Sequence, residues 1–122
     1  MEDLKNNSTP ASPKAVSDEA LRAKYGKVYS LGMTISEDDE TEVELSYHFK
    51  RPSVASYDRY VKTLSQIGAS KASKRFMLDA VVDEEVEKLT ADVELYPGMA
   101  IAIGSKLTDI LGLTNALNLK KL

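Results

Sequence analysis

Residues 42–50 read EVELSYHFK, a run in which polar and apolar side chains alternate at every step. Val43, Leu45, Tyr47 and Phe49 fall on one face, and Glu42, Glu44, Ser46 and His48 on the other. That is the period-two pattern of a strand with one side buried and one side wet. Such a strand needs a neighbour for its backbone groups and a covering layer for its apolar face. The run KVYSLGMTI, residues 27–35, is rich in β-formers and lies one acidic loop upstream, SEDDET. The two runs are expected to pair as a hairpin, with helices or a second sheet on its apolar side.

Immediately after the second run the chain reads FKRPS, residues 49–53. Pro52 fixes its own φ and pushes Arg51 toward extended backbone, so the strand ends there and Ser53 is placed to cap a helix. Four helical segments are expected beyond it. Val54, Tyr57, Val61, Leu64 and Ile67 recur at intervals of three or four before Gly68. Ser70 precedes a second stripe of Ala72, Phe76, Met77, Ala80 and Val81. Asp83 reads as a fresh cap, with Glu84 and Glu85 in the first turn and Val86, Leu89, Val93 and Tyr96 as the stripe, ended by Pro97. The most apolar segment, residues 98–111, carries Met99, Ile101, Ile103, Leu107, Ile110 and Leu111 and is expected at the centre of the packing. Upstream of the hairpin, SDEALRAKYG has a serine cap, two acids in its first turn and a glycine stop, which predicts a two-turn helix.

These elements amount to an α+β domain, a hairpin packed against a mainly helical bundle, over residues 17–112. Residues 1–16, with Pro10, Pro13 and the patch NNSTPASP, have too little apolar surface to offset ordering entropy and read as a disordered tail. Residues 113–122, LTNALNLKKL, form a short amphipathic tail. Its leucines, Leu113, Leu117, Leu119 and Leu122, either cover the last helix of their own domain or present an apolar strip to another chain.

The totals narrow the function. With 122 residues and 43% hydrophobic content the chain fits one domain with a modest core. Sixteen Lys and Arg against nineteen Asp and Glu give a net charge of -3, which argues against a dedicated nucleic-acid binder. There is no cysteine for a disulfide or a thiolate metal site, a usage that suits a reducing cytosol. No apolar signal core opens the chain, and no stretch approaches the roughly 18 apolar residues of a membrane span. An intracellular, soluble protein is expected.

Candidates for chemistry are few. His48 is the single histidine, sits on the wet face of its strand, and has no triad or HExxH spacing around it. The acidic run at 37–40 lacks the oxygen spacing and glycine of an EF-hand and reads as a solvated hairpin tip. The glycines at 98, 104 and 112 match no phosphate loop. Lys71, Lys74 and Arg75 read as a solvated helix face. The expectation is a non-enzymatic protein with no cofactor and no metal.

A resemblance sharpens this. AKYGKVYSLGM, then YHFKRPSVASYDRYVKTL, then KRFMLDAVVDEEVEKLTADVELYPGMAIAIGSKLTDILG is similar to the small tail assembly chaperones of tailed bacteriophages and prophages. The features that carry it are the KYGK-V-Y strand start at 24–29, the FKRPS junction at 49–53, YDR at 57–59 and YPG at 96–98. It spans about residues 20–112. The resemblance implies a chaperone that holds the long tape measure protein in the bacterial host cytoplasm while tail tube protein polymerises around it. Several copies often act together, so a homo-oligomer is a possible state, and neither nucleic acid nor membrane is an expected partner. A small structural subunit of the tail or connector is the alternative role. On the chaperone reading a client helix buries its apolar stripe between hairpin and helices. The partner-contacting residues are then Phe49, Lys50, Arg51, Tyr57 and Tyr60, together with Leu113, Leu117, Leu119 and Leu122. Lys50 and Arg51 either rim that groove or are simply solvated charges at a strand end.

Overall fold

A computed structural model describes residues 17–114 and 116–122; the expectation for residues 1–16 lies outside them. The elements run α1 (Asp18–Tyr25), β1 (Val28–Ser36), β2 (Glu42–Lys50), α2 (Val54–Ile67), α3 (Ala69–Ala80), α4 (Val86–Leu95) and α5 (Met99–Ile110), with a 3-10 turn at Asp83–Glu85 before α4. The architecture is α+β: one antiparallel hairpin followed by helices. No helix among the described residues is long and apolar enough to cross a membrane.

The hairpin forms as its alternation predicts. Tyr29 faces Phe49, Leu31 faces Tyr47, Met33 faces Leu45 and Ile35 faces Val43, so the apolar sets of both strands share one face. At the tip the Glu37 N–H donates to the Thr41 carbonyl at 3.0 Å, and Asp38 Oδ1 accepts from the Glu40 N–H at 2.8 Å, a local turn that occupies the acidic loop. Tyr47 and Phe49 are fully buried. They meet Phe76, Met77, Ala80 and Val81 of α3 and its exit, Leu89 and Val93 of α4, and Ile103 and Leu107 of α5 in one core. The central position expected for the last helix is therefore observed.

Sequence signals set most element ends. Ser17 and Ser53 side chains accept from the Ala20 and Ser56 N–H groups, and Pro97 follows α4 closely. Three expectations need correction. α3 starts at Ala69 with Gly68 as its cap, so Ser70 lies inside the helix; Gly68, at φ 92, turns the chain between α2 and α3 in a single residue. Asp83 caps no α-helix, because the chain first makes the 3-10 turn and α4 begins at Val86. Along α2, Val54, Val61 and Ile67 stay exposed, while Ser56, Tyr57 and Tyr60 face α3. The apolar stripe of α2 lost to a polar and aromatic one because Asp79 of α3 gathers the Ser56 hydroxyl and the Arg59 guanidinium on that side.

Candidate functional site

The two edges of the hairpin differ. Backbone groups of residues directly opposite in an antiparallel pair alternate between facing the partner and facing outward. With residues 37 and 41 bonded to each other, the outward positions are the even-numbered ones, among them Glu44, Ser46 and His48 on β2 and Ser30, Gly32 and Thr34 on β1. The base half of the β2 edge is covered by the segment that leads into α4. The Val82 N–H donates to the His48 carbonyl at 3.0 Å, Glu85 Oε1 accepts from the His48 N–H at 2.6 Å, and Lys88 Nζ reaches the Ser46 carbonyl at 3.4 Å. On β1 the outward groups meet no hydrogen-bond partner among the described residues.

Beside this open edge lies a groove of about 470 Å³ between β1 and α5. Its floor is Phe49, Ile103 and Leu107. One wall is Tyr29, Leu31 and Met33, the other Ala102 and Ile110, and Lys106 is the single charged side chain among the lining residues. The groove exists because the helices cover the hairpin at the Tyr47–Phe49 end only, leaving Leu31, Met33 and Leu45 half-buried. An apolar trough along an unpaired strand edge can accept an extended segment by backbone pairing, or the apolar stripe of a helix.

The expected partner residues scatter relative to this groove. Phe49 forms its floor and is itself core. Lys50 Nζ lies 5.5 Å from the centre of the Tyr25 ring, and the Arg51 guanidinium donates to the Ile110 carbonyl at 3.2 Å, where a cation suits the last turn of α5. Tyr57 and Tyr60 pack on Phe76, edge-on at 6.5 Å and stacked at 4.5 Å respectively, and hold α2 to α3. Leu113, Leu117, Leu119 and Leu122 are all exposed, the last three at 82% or more, and residues 113–122 form no regular element among those described. Leu113 sits by a separate hollow with Arg51, Val54, Tyr57 and Leu111. The groove residues Leu31, Met33, Ala102, Ile103, Lys106, Leu107 and Ile110 were not singled out as a site from sequence. Their signal was the odd-numbered apolar set of KVYSLGMTI together with the unusually apolar α5.

His48 is a further correction: its side chain is only 18% exposed. Nδ1 lies 2.8 Å from Glu85 Oε2 and Nε2 lies 3.1 Å from Asp18 Oδ1, so the ring ties β2 to α1 and to the 3-10 turn. The acids at 83–85 serve the same junction. Glu84 accepts from the Tyr25 hydroxyl at 2.7 Å and from Lys24 Nζ at 3.0 Å. The Tyr25 hydrogen bond first, with a backbone N–H and Lys24 adding to it, holds the Glu84 carboxyl down to about 2. Glu84 in turn raises Lys24. Deeper in, burial first and the Asp92 carboxylate second push the Tyr47 phenol up. Each of these groups is engaged in holding elements together, which is a structural use of charge. Among the described residues no group of three or more His, Asp and Glu side chains is placed to hold a metal ion.

Comparison with solved structures finds an uncharacterised protein from Bacillus stearothermophilus, 30% identical, with a TM-score of 0.73 over 85% of this chain and all of that one. No functionally curated protein matches the chain. A family described as a domain of unknown function, DUF6848, matches residues 21–120, a span that takes in the hairpin, every helix from α2 onward and most of the leucine tail. The chain belongs to the DUF6848 family.

Proposed function

We propose that the chain is a non-enzymatic tail assembly chaperone of a bacteriophage or prophage, which binds the tape measure protein and keeps it soluble while tail tube protein assembles. The observation that carries this reading is the open apolar groove between β1 and α5, which has the shape and lining to take an apolar segment of another chain. The order of the KYGK, FKRPS, YDR and YPG motifs supplies the client class. Mixed surface charge with a slight acidic excess keeps a client-loaded complex from associating further. The host cytoplasm is the compartment in which this work is done.

The test is co-expression of the chain with the tape measure and tail tube proteins of its own gene cluster. Wild type is expected to move the tape measure protein into the supernatant and to be recovered with it. Leu31→Asp together with Met33→Asp, on the groove wall, is expected to abolish recovery while the protein itself stays folded by circular dichroism. A tape measure protein that is equally soluble without the chain overturns the reading. Recovery of the chain from purified particles at the copy number of a ring would favour the structural subunit instead.

A further inference from the structure

The open β1 edge and the exposed leucine tail are complementary, and we propose that residues 114–121 of one copy dock on the β1 edge of a second copy. The tail lies there as a third strand, with Leu117 and Leu119 turned into the groove. Four observations bring tail and edge together. In extended backbone Leu117 and Leu119 fall on one face, since side chains alternate with period two. Eight residues at ~3.3 Å each span nearly the length of the nine-residue β1. Leu117, Leu119 and Leu122 are the most exposed large apolar side chains described, on a segment with no regular structure, while Ser30, Gly32 and Thr34 hold backbone groups without partners among the described residues. The family match runs through residue 120, so the tail is part of the domain.

Charge sets direction. The hairpin tip carries Glu37, Asp38, Asp39, Glu40 and Glu42, whereas its base carries Lys27, Lys50 and Arg51. Lys120 and Lys121 therefore belong at the tip, and the tail runs parallel to β1 from base to tip. A second copy is the occupant because the tail's own start is committed elsewhere. The Leu113 N–H donates to the Thr108 carbonyl at 3.0 Å, and Leu113 sits by a hollow with Arg51, Val54 and Tyr57, none of which lines the groove.

Self-association needs no client, so its measurement stands apart from the chaperone reading. Sedimentation of the full chain across about two decades of concentration is expected to show reversible association. Removing residues 113–122 is expected to weaken it at least ~100-fold, as loss of the two groove leucines implies. Thr34→Pro takes away one outward N–H without touching a bond to β2 and is expected to do the same. Mixing these two variants is the decisive step, since one keeps the edge and the other keeps the tail. They are expected to form a one-to-one complex that neither forms alone, and Lys120→Glu with Lys121→Glu in the tail donor should weaken it more at low salt than at high. A full chain that stays monomeric, an association unaffected by removal of the tail, or a mixture that fails to complement would each overturn the proposal.

Discussion

At the residue scale, the polar groups around α1 make a prediction with a definite sign. Glu84 is held at about 2 against an ordinary 4.5, so its contribution is fully present above pH 4.5 and is lost as pH falls toward 2. Acidification through that window should undock α1 first, seen as faster amide exchange over residues 18–25 while α3 and α5 stay protected. Glu84→Gln should remove most of the pH dependence of that step. Tyr47 runs the other way. Its phenol is raised above 10.0, so the stability it contributes is intact below pH 10 and declines as pH rises beyond it. Tyr47→Phe should cost about 1 kcal/mol at neutral pH, by chemical denaturation, and flatten the alkaline decline. The acids at 83–85 were legible from sequence as helix-start residues. Their real partners, Tyr25, Lys24 and His48, lie some 35 to 60 positions away, and no local pattern announces a contact of that span.

At the scale of elements, α3 and α5 meet at a close approach. An added Cβ at Gly104 would meet Cβ and Oγ of Ser73 at 3.3 Å, so α5 approaches α3 through a position without a side chain. Gly104→Leu should force the two apart and cost about 2 to 3 kcal/mol, read as a lower denaturation midpoint. At Gly68 a Cβ would meet nothing, but φ is 92. Gly68→Ala should therefore destabilise by about 1 kcal/mol through backbone strain alone. Element types and most boundaries were readable in advance because caps, prolines and alternation are local signals. The outward turn of Val54, Val61 and Ile67 was not, since the spacing of an apolar stripe does not say which of two faces finds a neighbour. The groove was half legible for the same reason: both of its walls were visible as apolar runs, but their juxtaposition is tertiary.

At the scale of the molecule, the core is concentrated at the base of the hairpin and between the helices, and thins toward the hairpin tip. A side-chain bond from Tyr96 to Glu37 holds that tip near the end of α4. Native-state amide exchange should rank accordingly, with Ile103 and Leu107 slowest and the strand residues 33–36 among the fastest in the hairpin. Filling the groove should reverse that ranking for β1, whichever chain fills it. The contrast between the hairpin's edges has a further consequence for assembly. A sheet grows without limit only when every added unit brings a fresh edge on its far side. Here Val82, Glu85 and Lys88 occupy the base half of the far side of β2, so no further strand can pair along the whole of that edge. Whatever strand joins it at β1, the blocked half of β2 keeps the sheet from growing on along the full length of the hairpin.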